Sequence, residues 1–320
     1  MLHAGSGRVP QQIGFLLLPR FSMICLLSAI EPLRGANRML GYEAYRWHFL
    51  ATDNEPVTAS NGMAIVPGHR IADAPEISAL GVVASYEPLA AVDGHLLQWL
   101  RACFRQGLDI GAFETGTSVL AEAGLLAGRR VTLHWETLPA FRERHLDVDA
   151  RDALFEIDPP LFTCSGGTAA MDLMLQLLAR DHSAALAAAV SEQFLHSDIR
   201  PANAGQRMDG DRRIGMREPL LATVTEIMRA HLENPLSLPE VATQAGVSQR
   251  RLERLFAQHL GTPPQRYYLE LRLEHARQLL QHGELPIHEI ALACGFGSAS
   301  WFTRAYRQHF GHPPRRERDG

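Results

Sequence analysis

The 320-residue chain contains no lysine; all 31 of its basic residues are arginine. Basic contacts therefore come from planar guanidinium groups, which can grip a phosphate or a guanine edge through two donors at once. Cysteine is also scarce. Cys25, Cys103, Cys164 and Cys294 are widely separated with no Cys-x-x-Cys pair, which argues against a zinc site and against a disulfide framework. Reduced thiols are expected, with no metal and no cofactor. Long apolar runs are missing as well: the most apolar stretch, Phe15 to Ile30, is broken by Pro19 and Arg20, well short of the ~20 residues that span a bilayer. No small-residue cleavage site follows it. The expectation is a cytoplasmic protein with no membrane partner.

What is present is ordinary for a folded chain: 46% hydrophobic and 21% charged residues, enough to bury a sizeable core. The length corresponds to about two domains of ~150 residues. The net charge of −4 conceals an asymmetry. Positions 212–320 hold 15 arginines against 11 acidic residues, whereas positions 1–211 hold 16 arginines against 24 acidic residues. A basic end on an acidic body points to an anionic partner for that end, such as nucleic acid.

The first two hundred residues alternate between strand-like and helix-like segments. Strands are expected at Ile13 to Leu18, Tyr45 to Ala51, Gly81 to Ala84, Leu108 to Ala112, Arg130 to His134 and Leu154 to Ile157. Helices are expected at Ser22 to Met39, Asp93 to Gln106, Thr117 to Leu126 and Gly167 to His182. Such alternation implies a parallel sheet with helices on both faces, a doubly wound α/β domain over residues 1–196. Residues 197–216 are rich in Pro, Gly, Asn, Asp and Arg without an apolar period, which reads as a linker. From 217 to 320 the pattern is wholly helical.

The helical part contains an internal repeat. PEVATQAGV aligns with HEIALACGF at an offset of 49, and RLFAQHLGTPP aligns with RAYRQHFGHPP at an offset of 50. Each copy is a helix, a glycine turn and a second helix. In the first, Ser237 and Glu240 have the spacing of a capping box, Gly246 serves the turn and Ser248 caps the next helix. That helix is expected to bury Leu252, Leu255, Phe256 and Leu260, leaving Gln249, Arg250, Arg251, Glu253, Arg254 and Gln258 outward. In the second copy Ser298 is the expected cap. Trp301, Phe302, Ala305, Tyr306 and Phe310 form the expected buried stripe, with Ser300, Thr303, Arg304 and Arg307 outward. A long helix, Tyr267 to Gln281, separates the copies. This is the pattern of two helix-turn-helix units whose second helices enter a major groove about one turn (~34 Å) apart.

These residues resemble the double helix-turn-helix domain of AraC/XylS-type transcription regulators over roughly Glu218 to Gly320. The resemblance implies base contacts in double-stranded promoter DNA from Arg250, Glu253 and Arg254 in the first unit, and from Ala299, Ser300, Thr303 and Arg304 in the second. It also implies RNA polymerase as a partner. In the amino-terminal half, SAIEPLRGANR, TGTSVLAEAGLLAGRRVTLHWE and FTCSGGTAAMDLMLQLL resemble the PfpI-type class I glutamine amidotransferase-like domain, in the GlxA-like branch fused to AraC-type tails. This implies a flavodoxin-like fold and a regulator of a catabolic operon, more often an activator, responding to a small nitrogenous metabolite such as an amino acid, a betaine or a carnitine-like compound. A homodimer is a further expectation, since half-sites often repeat.

One departure bears on chemistry. Catalytic relatives carry a cysteine at the corner between strand and helix, assisted by a histidine and an acid. Here the corner residue is Glu114, His134 matches the histidine and Ser28 stands at the acid's place. Glu114 then has three readings: a structural carboxylate at a helix start, an acid lining an effector pocket with Thr115, His134 and Trp135, or a nucleophile. Trp135 beside Glu136 suits an ammonium group by cation–π and Coulomb attraction, or is a core tryptophan beside a surface acid. Cys164 and Ser165, in TCSGG, lie at a second corner and are included in the expected ligand set. Two alternatives to a ligand-responsive regulator stay open: an amidotransferase-like hydrolase with a DNA-binding tail, and a ligand-independent regulator whose α/β domain only dimerises.

Overall fold

Uniformly apolar stretches such as ALGVVA have no polar side to turn towards water, so a sheet built from them needs helices on both faces. The computed structural model, which describes residues 9–206 and 218–318, has that arrangement in the first of its two compact units, within 1–206. Its elements run β1 (Gln11–Leu17), α1 (Met23–Leu40), β2 (Tyr45–Ala51), β3 (Val57–Thr58), β4 (Ala64–Ile65), β5 (His69–Arg70), β6 (Ala79–Ala84), α2 (Gly94–Arg105), β7 (Asp109–Glu114), α3 (Gly116–Glu122), β8 (Arg130–Val131), α4 (Leu138–Arg144), β9 (Asp149–Ala150), β10 (Phe155–Asp158), β11 (Leu161–Cys164), α5 (Ala169–Asp181) and α6 (Ala184–Gln193). Seven strands form one sheet in the order β10-β11-β7-β6-β1-β2-β5. One face carries α1, α5 and α6 over a core that includes Phe15, Leu33, Phe113 and Leu173. The other carries α2, α3 and α4 over Leu16, Leu80, Leu100, Val119 and Phe141.

The doubly wound reading holds, with three corrections. The sheet is not wholly parallel, because β10 and β11 pair antiparallel across the Pro159-Pro160 turn. Strand β11, which the proline pair hid from a period-based reading, lies between β10 and β7. The strand expected at Arg130 to His134 is confined to Arg130–Val131 and pairs with β9 in a separate two-stranded sheet. Thr132 diverts the chain there: its N–H donates to the Thr163 hydroxyl at 2.8 Å, and its own hydroxyl donates to Ala153 O at 2.8 Å.

Residues 197–206, expected to open the linker, instead lie against this unit as a strap. Asp172, with no exposed surface, accepts from the Arg200 N–H (2.9 Å), Arg200 Nε (2.9 Å), Arg200 Nη2 (2.5 Å) and His196 Nε2 (2.8 Å). Leu154 N–H donates to Ala202 O at 2.9 Å. Gln206 Nε2 ends the strap by donating to Leu133 O at 2.9 Å and Ala153 O at 3.0 Å. The rest of the expected linker, 207–216, lies outside the described residues.

The second unit, within 207–320, contains only helices among its described residues: α7 (Pro219–Ala230), α8 (Leu238–Gln244), α9 (Gln249–His259), α10 (Pro264–His282), α11 (Ile287–Ala293), α12 (Ala299–Phe310) and α13 (Pro314–Arg318). Leu221, Val224, Val241, Leu252, Phe256 and Tyr268 form its first core. No helix among the described residues is long and apolar enough to cross a membrane, and none of their His, Cys, Asp and Glu side chains cluster as a metal site.

Candidate functional site

At the carboxyl end of β7 the chain turns sharply into α3, and Glu114 occupies the turn with φ +60°. A positive φ is strained for a residue with a side chain and persists only where its surroundings impose it. The corner therefore keeps a nucleophile elbow's geometry with a carboxylate at the apex. The Ser85 hydroxyl donates to Glu114 Oε1 at 2.5 Å, and the Thr115 hydroxyl donates to Ser85 O. Gly166, at φ +108°, meets the other side of Glu114: a Cβ on Gly166 would stand 2.8 Å from Glu114 Cγ. Burial pushes the Glu114 carboxyl above the usual carboxylate range, the hydroxyls of Ser85 and Ser22 pull it back, and the charge of Glu136 pushes it further up.

That influence places a second acid at the site. Glu136 Oε2 lies 3.6 Å from His134 Nδ1, and the His134 and Trp135 rings have centroids 5.5 Å apart. All three of these side chains are partly exposed, as is Glu114. The expected ligand set is thereby narrowed. Thr115 and Ser165 are each 4% exposed and Cys164 is fully buried. Cys164 Sγ accepts the Gly166 N–H at 3.3 Å and contacts Cys25, whose thiol this contact and burial push well above its ordinary pKa. These thiols are packed core groups, and Cys164 has no surface to offer a ligand. Arg200 also donates to the Thr168 hydroxyl at 2.8 Å. Ser28, at the family acid's place, is buried within α1; the hydroxyls that reach Glu114 belong to Ser85 and Ser22. Neither serine stands out in the sequence, since isolated serines at strand and helix ends carry no spacing signal.

The second unit carries the two helix-turn-helix modules where the repeat placed them. Ser237 N–H donates to the Glu240 carboxylate at 2.7 Å, completing the capping box at the start of α8. Ser248 caps α9 by accepting the Arg251 N–H, and Ser298 caps α12 by accepting the Trp301 N–H. On α9 Gln249, Arg250, Arg251, Glu253 and Arg254 are exposed, and Gln249 Nε2 donates to Glu253 Oε1 at 2.9 Å. On α12 Ser300, Arg304 and Arg307 are exposed and Thr303 is half-buried. Arg250, Arg251, Arg254, Arg304 and Arg307 make no ion pair among the described residues, so their guanidinium groups are free for an external anion. Trp301, expected in the buried stripe, is 42% exposed; it lies on Phe296 with ring centroids 4.8 Å apart and keeps one edge in solvent.

Comparison with known proteins matches both units. The DJ-1/PfpI family matches residues 15–180 and a helix-turn-helix domain family matches residues 241–320. The chain is 47% identical over 308 residues to the HTH-type transcriptional regulator CdhR of Pseudomonas aeruginosa, covering 96% of this chain and 91% of that one. It is 45% identical to GbdR of the same organism (98% and 85% covered) and 37% identical to GlxA of Rhizobium meliloti (98% and 97%). Among solved structures it is similar to an AraC family transcriptional regulator from Pseudomonas putida, with TM-score 0.53 and 26% identity over 58% of this chain and all of that one. A THiJ/PfpI family protein from Pseudomonas syringae, with TM-score 0.53 and 23% identity over 68% and 87% of the two chains, shares the fold.

Proposed function

The chain belongs to the DJ-1/PfpI family, in the GlxA-like branch of AraC-type helix-turn-helix transcription regulators, and from that premise we propose that it activates a catabolic operon in response to a small cationic nitrogen compound. It is a DNA-binding regulator and not an enzyme, as its curated relatives are. The observation that carries the effector reading is the pair of partly exposed acids, Glu114 and Glu136, with Trp135 between His134 and Glu136 in the chain. The charge of Glu136 raises the proton affinity of Glu114; a cation bound beside both carboxylates offsets that repulsion, and an indole face adds cation–π attraction. Amino acids, betaines and carnitine-like compounds carry such a head group. A ligand that binds there shifts the DNA-binding equilibrium by its difference in affinity between two states. The strap supplies a route: Gln206 holds the carbonyl of Leu133, one residue before His134, and the chain then continues to the DNA-binding unit. Promoter DNA is bound by the exposed arginines of α9 and α12, with RNA polymerase as the downstream partner and a homodimer as the working assembly on repeated half-sites.

The test is a thermal-shift panel of amines, betaines and amino acids on the full chain and on Glu114→Gln. At a concentration ~100 times Kd, a binder adds about 2.7 kcal/mol of stability. At least one cationic compound is expected to stabilise the wild type and to lose most of that effect in the variant. A panel without any stabilising compound supports the ligand-independent reading instead.

A further inference from the structure

Two polar side chains one helical turn apart on α10 reach different modules. The Tyr268 hydroxyl donates to His231 O at 2.7 Å and accepts the Leu236 N–H at 3.3 Å, holding the loop that leads into α8. Arg272, four residues later and 8% exposed, turns to the second module. Its Nε donates to Cys294 O at 2.8 Å and its Nη2 to Gly295 O at 2.6 Å, the carbonyls that follow α11. No carboxylate pairs with Arg272 among the described residues. Its guanidinium lies over the rings of Phe296 (4.4 Å) and Trp301 (5.4 Å), and Trp301 is the third residue of α12.

Gly295 closes the same joint from the other side. It adopts φ +70°, and a Cβ there would stand 2.5 Å from Pro235 Cγ and 2.7 Å from Leu232 O. The turn of the second module is therefore seated directly on the loop of the first. We propose that Arg272 is a positioning residue: by tying the turn and the start of α12 to α10, it fixes the second recognition helix relative to the first and so sets the half-site spacing that the protein accepts.

The physical reason lies in what replaces the guanidinium. A neutral side chain withdraws the donors from the Cys294 and Gly295 carbonyls and removes the plate on which Phe296 and Trp301 stack. Helix α12 then loses its single orientation, although its own aromatic stripe stays packed. A rigid pair of reading helices and a loosened pair differ most sharply in their response to spacing. One inserted base pair moves the second half-site by ~3.4 Å and turns it by roughly 35°.

The experiment uses the full chain and an operator selected from random duplex DNA by the wild type. Affinity is then measured on that operator and on versions with one or two base pairs inserted or deleted between the half-sites. The wild type is expected to lose affinity about tenfold or more per change, whereas Arg272→Met discriminates less than about threefold while base substitutions in the half-site read by α9 keep their full effect. Arg272→Lys, which keeps the charge but reaches one carbonyl at a time, falls between. Three results overturn the proposal: wild-type spacing discrimination in Arg272→Met, equal loss of both half-sites in a variant with native helix content, or a wild type that tolerates the insertions. If Arg272→Met does not fold, Arg272→Lys and Trp301→Phe decide the matter, and unchanged discrimination in both overturns it.

Discussion

Asp172→Asn isolates the contribution of the strap. The carboxylate accepts four hydrogen bonds, three of them from Arg200, and is wholly buried. Breaking a buried ion pair from one side costs about 3–5 kcal/mol. Arg200 and His196 keep 32% and 20% of their side-chain surface in solvent, so water rehydrates them when the partner is lost and the cost falls to about 2–3 kcal/mol. That energy is charged to opening of the strap alone, which corresponds to a roughly 30- to 160-fold shift towards the open form. Hydrogen exchange on the full chain reads it at chosen amides. Leu154 donates to Ala202 O, His196 to Ser191 O and Ala204 to Pro201 O, so exchange at all three is expected to accelerate by that factor while the strands beneath keep their protection. Native exchange at Leu154 and Ala204, in a variant with native circular dichroism, refutes the assignment of Asp172 as the latch. Arg200→Met combined with Asp172→Asn is expected to be markedly less than additive, since both variants break the side-chain bonds between Asp172 and Arg200.

Two further outcomes follow from the corner at Glu114. Its folded-state pKa is raised, chiefly by burial, so the folded chain holds this proton more tightly than the unfolded chain. The resulting stability is present below the ordinary carboxylate pKa and is lost as pH rises through the raised value. Glu114→Gln does not titrate there, so its melting temperature relative to wild type should climb across that window and then level off; a difference independent of pH contradicts the burial argument. Gly166→Ala forces a Cβ against Glu114 at a backbone angle that side chains rarely adopt. A cost of about 2 kcal/mol is expected, read as a melting temperature lower by roughly 4–8 °C. In mobility-shift titrations Arg254→Ala and Arg304→Ala are each expected to weaken promoter binding by about 1–3 kcal/mol without altering the thermal stability of the α/β unit.

Much of this was legible in the sequence because two periods dominate it. Apolar strands alternating with helices mark the sheet, and the 49-to-50-residue repeat marks the two modules down to the caps Ser237, Ser248 and Ser298. The corner at Glu114 was legible from its strand-turn-helix outline. What stayed hidden depends on partners far away in the chain. Strand β11 has four residues and follows two prolines, so nothing local distinguishes it from a loop. The strap is polar and rich in Pro and Asn, the composition of a linker, yet a carboxylate 28 residues earlier binds it down. Trp301 follows the helical period of a buried residue, but the space beneath it is already filled by Phe296 and Arg272. Arg272 itself looks like one more surface arginine until the carbonyls of Cys294 and Gly295 are placed opposite it.

The strap also bears on the end of the sheet that it lies beside. Strand β10 is an outer strand, and an outer strand offers unpaired backbone groups on which another chain can grow. Ala202 takes the N–H of Leu154 and Gln206 takes the carbonyl of Ala153, at the entrance to that strand, while the Asp158 carboxylate, at its exit, accepts the N–H of Arg130. The segment leading to the DNA-binding unit thus also covers the entrance to an outer strand. Peeling it away would free the Leu154 N–H beside that strand. A chain cut before His196 should accordingly be more prone to self-association than the full chain.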